Sequence, residues 1–166
     1  MGLDNIPREY PCKKTNTAIM TGDKIDCDAT QEADQCPWKK EFKKFQEKYP
    51  DAEGTIGMFG VSCWYRGKYG QWLLSILDNQ DDYYHHHSSG FSFYGDNEEG
   101  FDSSYAKAMA LFMQDNVKLF KKNIRARSTT HDYSDGEVNG MINDYQYAAW
   151  WLKFVAEYAD GSIAWW

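Results

Sequence analysis

Aromatic and aliphatic residues recur at helical spacing in four stretches of this chain, and lose that period in its first third. From position 37, Trp38, Phe42, Phe45 and Tyr49 follow one another three or four residues apart, while Lys39, Lys40, Lys43, Lys44 and Lys48 fill the positions between. This pattern predicts an amphipathic helix over 37–49 whose lysines form a solvated charged face. Pro37 suits the first helical position, where a backbone N–H is not needed, and Pro50 stops the helix. A second helix is predicted over 68–77, with Tyr69, Trp72, Leu73, Ile76 and Leu77 on one face. A long third helix, capped by Asp102 or Ser103, runs through Ile124 with Tyr105, Met109, Phe112, Met113 and Phe120 inward. Lys121, Lys122, Arg125 and Arg127 near its end suit the negative pole of the helix dipole. Ser134 and Glu137 have the spacing of a capping box. The helix they open turns Tyr145, Ala148, Ala149, Leu152, Val155 and Ala159 inward, and Gly161 ends it. Trp165 and Trp166 are expected to fold back onto the core.

Strand signals are weaker. Residues 1–35, with Pro7, Pro11 and several Asx and Thr residues, predict extended loop with a short hairpin, 17–20 and 24–27, around Gly22-Asp23. Residues 55–61 predict a buried strand in which Gly57 and Gly60 mark a bulge or a close backbone approach. The glycine spacing there is not a dinucleotide fingerprint, and no P-loop lysine follows it. Residues 78–101 read as acidic loop with a strand at 91–94. No repeat, low-complexity tract or linker divides the chain, so one domain over 1–166 is expected. The fold class is α+β and helix-dominated: about four helices, a small sheet, and a loop-rich N-terminal third that bears the cysteines.

Composition changes this picture in two ways. Seven Trp, twelve Tyr and nine Phe make the chain 17% aromatic. Each large ring buries roughly 150–250 Å², so a few of them fill a small core. The same rings stack on bases, sugars or a partner protein. Against 18 basic residues stand 25 acidic ones, a net charge of −7, which argues against general nucleic-acid binding. No apolar run approaches the ~20 residues that span a bilayer. The first residues lack a secretory n-region and h-region, and Ile6 stands where an N-myristoylation motif needs Ser or Thr. The expected location is the cytoplasm, where thiols stay reduced.

Candidate chemistry begins with Cys12, Cys27, Cys36 and Cys63, all within the first 63 residues. Random scatter gives that clustering with a probability of roughly 0.02. Four thiolates complete a tetrahedral zinc site and would order a loop-rich segment. The spacings, 14, 8 and 26 intervening residues, contain no C-x-x-C knuckle, so buried unliganded thiols and disulfides stay open as well. His85, His86 and His87 follow two aspartates and read as an exposed loop, with divalent-metal capture as the alternative. Residues 96–102 lack the ligand alternation of an EF-hand.

The string from Cys63 to Gly70, CWYRGKYG, is the most distinctive. It joins stacking rings, a guanidinium that forks onto phosphate or carboxylate, and glycines that admit a ligand. Trp64, Tyr65, Arg66 and Tyr69, with Tyr94 and Asp96, are therefore the candidate ligand-binding residues. The plain alternative packs the rings into the core. Enzyme motifs such as G-x-S-x-G and H-E-x-x-H are absent from the sequence.

The opening GLDNIP with Tyr10-Pro11-Cys12, then Cys36-Pro37-Trp38 and residues 63–70, resembles a group of short uncharacterised proteins of phages and aquatic prokaryotes. That resemblance implies a viral or host accessory protein and brings no activity, substrate or cofactor with it. The leading expectation is an accessory protein that binds another protein or a small anionic, nucleotide-like ligand, its scaffold stapled by zinc. A virion structural oligomer and a metal- or thiol-dependent enzyme are the alternatives.

Overall fold

The computed structural model describes residues 3–9, 11, 37–54, 62–84, 87–96 and 98–165. Their elements run β1 (Asp4–Pro7), α1 (Pro37–Lys48), α2 (Gly67–Ser75) with a 3-10 turn (Ile76–Asp78), β2 (Gly100–Phe101), α3 (Ser103–Asp115), α4 (Val117–His131), α5 (Asp135–Tyr158) and β3 (Ser162–Trp165). The class is α+β and helix-dominated as expected, with five helices among the described residues in place of four. None of these helices is long and apolar enough to cross a membrane.

The extra helix comes from a break in the predicted long one. At Asn116 the backbone leaves helical geometry (φ −99°, ψ 9°), and the Asn116 side-chain amide donates to the Phe112 carbonyl at 2.9 Å. A side chain that hydrogen-bonds the preceding turn competes with the helical ladder. The helix resumes as α4 and continues past Ile124 to His131.

The longest helix, α5, packs against α1, α2, α3 and α4. Its start is the predicted capping box: Glu137 N–H donates to Ser134 Oγ at 3.2 Å, and Ser134 N–H donates to the Glu137 carboxylate at 2.8 Å. These bonds hold the exposed Glu137 carboxyl below its ordinary pKa. All six positions predicted to face inward are buried, and Trp151 joins them. Past the end of α5, Asp160 is left-handed and Gly161 N–H donates to the Val155 carbonyl at 3.0 Å. A side chain at Gly161 (φ +90°) would stand 2.2 Å from the Phe101 carbonyl oxygen, so glycine is required where the chain passes β2.

The sheet has β3 at its centre, antiparallel to β1 on one side and β2 on the other. It pairs Asp4 with Trp165 and Phe101 with Ser162, and Trp165 also meets Trp64 edge-on at 5.9 Å. Four-residue strands at opposite ends of the sequence, one of them ending in Pro7, carry no local turn signal, so periodicity does not reveal them. The strand predicted at 91–94 does not form. Side chains take its backbone instead: Gln71 Oε1 accepts from Phe93 N–H at 2.9 Å, and Asn5 Nδ2 donates to the Phe93 carbonyl at 2.9 Å. The segments 17–20, 24–27 and 55–61 lie outside the described residues, as does Trp166.

Candidate functional site

The six residues proposed from sequence divide between core and surface. Tyr65 is fully buried, its backbone paired with Asn5 (2.8 and 3.0 Å) and its ring set between Phe93 and Trp151, each at 5.1 Å. Trp64 is buried beside Trp165. Tyr94 is buried, its hydroxyl donates to the Tyr83 carbonyl, and burial pushes that hydroxyl's pKa up to about 12. Arg66 and Asp96 are exposed. Half-buried Tyr69 donates its hydroxyl to Asp144 Oδ2 at 3.1 Å. Burial raises the Asp144 carboxyl above its usual range, and the Tyr69 hydrogen bond opposes that rise.

Of the four cysteines, Cys12, Cys27 and Cys36 lie outside the described residues, and Cys63 is buried with its carbonyl accepting the Trp151 indole N–H at 3.0 Å. Among the described residues no three His, Cys, Asp or Glu side chains gather as a metal-binding group. His85 and His86 also lie outside them. His87 is buried against Phe112, its Nε2 3.2 Å from Asp78 Oδ1.

Tyr69 does belong to a surface shelf of rings that sequence spacing does not show. It stacks on Trp72 at 5.4 Å, and Trp72 stacks on Tyr83 at 5.9 Å. The Trp72 indole N–H donates to Asp81. Lys68 Nζ donates to the Tyr84 hydroxyl at 2.9 Å and lies over the Tyr83 and Tyr84 rings at 5.6 and 4.9 Å. The shelf pairs its own cation with its own rings.

The outer face of α5 is built differently. Between α1 and α5, bounded by the α3–α4 junction, lies a groove of about 650 Å³. Phe45, Tyr49, Val117 and Trp150 are its apolar lining and Lys44, Lys48, Lys153 and Glu41 its charged lining, with Lys48 Nζ over the Tyr49 ring at 5.5 Å. Trp150 is held firmly: it stacks on Phe154 at 5.5 Å and tilts against Phe45 at 5.4 Å. A second groove of about 430 Å³ runs between α3 and α5, with Ala110, Leu111 and Ala156 as its apolar part and Lys107 and Glu157 among its polar part. Both grooves include Gln114 and Lys153, so they adjoin at those two side chains and together make up the trough along α5.

Four lysines and two glutamates line this trough, a local excess of positive charge on a chain whose net charge is −7. Lys44 pairs with Glu41 at 2.9 Å, which leaves three of those lysines facing one glutamate. Sequence reading found the lysines of α1 as an ordinary charged face. Their partners come from α3, α4 and α5, and no linear pattern joins them. No family model, curated protein or solved structure matches this chain, so its function is argued from this geometry.

Proposed function

We propose that this chain is a small accessory protein of the cytoplasm that acts by binding, and that the trough along α5 receives an anionic partner. One observation carries this reading: lysines of α1 and α5 line an aromatic groove, with Lys107 of α3 lining the groove beside it, on an otherwise acidic molecule. A tryptophan face supplies a large contact area at little entropic cost, and the lysines supply attraction that a uniformly acidic surface would oppose. Nothing in this reading requires a nucleophile or an acid–base pair.

The test uses 8-anilinonaphthalene-1-sulfonate, a probe that is both aromatic and anionic. Its fluorescence should rise saturably with one site per chain, and added salt should weaken binding. Combining Lys44→Glu, Lys48→Glu and Lys153→Glu should lower the affinity by about tenfold or more. The near-UV circular dichroism should stay unchanged, which separates loss of the site from loss of the fold. Equal binding by the triple variant, or no saturable binding by the wild type, would overturn the reading.

A further inference from the structure

We infer that the occupant of the trough is an acidic amphipathic α-helix of another protein, anchored by two apolar side chains about two turns apart. This rests on the trough being the recognition surface, and it adds the shape and chemistry of what fits there.

The length comes from α5. The residues that line the trough run from Gln146 to Glu157, a rise of about 16 Å at 1.5 Å per residue, which is three helical turns. Gln146, Trp150, Lys153 and Glu157 recur at intervals of four, three and four, so they occupy one face of α5.

The anchors come from two apolar sockets. One is formed by Phe45, Val117 and Trp150, the other by Ala110, Leu111 and Ala156. Along α5, Trp150 and Ala156 are six residues apart, about 9 Å of helical rise. On the opposite wall, Leu111 of the second socket lies on α3 and Val117 of the first opens α4. Leu111 is 52% exposed, an apolar side chain with its outer side open at the narrow end.

A helical ligand presents positions i and i+7 on one face about 10 Å apart, close to this spacing. An extended ligand does not match it. Strand residues on one face are separated by about 7 or 13 Å, and the residue near 10 Å points to the opposite side. The walls are helices, which offer no free ladder for an added strand.

The charge of the ligand comes from the rim. Lys48, Lys107 and Lys153 extend along both halves of the trough, while Lys44 is paired with Glu41. A helix with glutamates flanking its two apolar anchors meets these lysines. A basic helix is repelled by them.

Three fluorescein-labelled 15-residue peptides test this by fluorescence anisotropy on the full chain. The first is a helix former with leucines seven residues apart and glutamates flanking them. The second places proline midway between the leucines, and the third replaces every glutamate with lysine. The first should bind saturably in the micromolar range, and the others at least about tenfold more weakly. Leu111→Glu should weaken the first peptide by a similar factor and leave the sulfonate probe bound in the wide groove, which Leu111 does not line. Equal binding by the proline or lysine peptide, or indifference to Leu111→Glu, would overturn the inference. So would a dimer, detected by light scattering, that Leu111→Glu dissociates, because the occupant would then be a second copy. If all peptides fail while the sulfonate probe binds, only this inference falls. If the probe fails too, the reading of the trough falls with it.

Discussion

The string at 63–70 and the trough along α5 both bring aromatic rings beside cations, yet they differ in how far the fold pairs these groups internally. In the string, Trp64 and Tyr65 turn inward, and the Tyr65 backbone pairs with Asn5 of β1. Lys68 is held over the protein's own Tyr83 and Tyr84. In the trough, Trp150 keeps part of its ring at the surface, and although Lys48 lies over the Tyr49 ring at 5.5 Å and Lys44 pairs with Glu41, Lys107 and Lys153 stand over no ring among the described residues. A ring-rich motif marks a binding surface only when the fold leaves its faces and charges without internal partners. Three rings in six residues are as good a recipe for a core as for a ligand site.

The largest expected effect breaks this comparison if it fails. Tyr65→Ala removes a fully buried ring packed between Phe93 and Trp151, and should cost about 3–5 kcal/mol in chemical denaturation. A loss below about 1 kcal/mol would mean that the string is not the core element described here. Tyr69→Phe comes next. It leaves the half-buried Asp144 carboxylate without the Tyr69 hydroxyl at 3.1 Å, a loss of about 1–2 kcal/mol at neutral pH. That bond favours the charged carboxylate, so the deficit should shrink as the solution is acidified and Asp144 takes up a proton. A deficit independent of pH would assign the loss to packing instead.

Much of the fold is legible because helices announce themselves locally. Trp38, Phe42 and Phe45 fall on the buried face of α1, and the Ser134–Glu137 box opens α5 where predicted. What periodicity misses depends on distant partners. The sheet joins β1 to β3 across 155 or more residues, and the loop at 91–94 is shaped by the amides of Gln71 and Asn5. The break at Asn116 is local, but an asparagine within a helical pattern is common enough to pass unnoticed. The trough was illegible for a third reason. Each of its helices shows an ordinary lysine or small-residue face, and only their packing on α5 turns those faces into one surface. The string stood out in the sequence because its residues are adjacent, and adjacency is no guide to what the fold leaves exposed.

The smallest effect sharpens the comparison by separating the two regions with pH. His87 lies at the end of the segment that carries Tyr83 and Tyr84, and Asp78 holds that end through Ser88 N–H and Ser88 Oγ, each at 2.7 Å. Ser89 N–H donates to His87 Nδ1 at 3.0 Å, Ser89 Oγ lies 2.7 Å from the same nitrogen, and Nε2 lies 3.2 Å from Asp78 Oδ1. Burial lowers the His87 pKa below 6.5, and Asp78 only partly opposes it. Between the folded pKa and 6.5 the unfolded chain binds more protons, so His87 makes stability fall as the pH falls. From pH 7.5 to 5.5 this contribution should lower stability, and His87→Phe should flatten that part of the profile. No histidine lines the trough, so the affinity of the sulfonate probe should not follow the His87 profile. If probe affinity and stability fall together below pH 6.5, and His87→Phe removes both losses, the shelf and the trough are coupled, and the contrast between a closed region and an open one gives way to a single responsive surface.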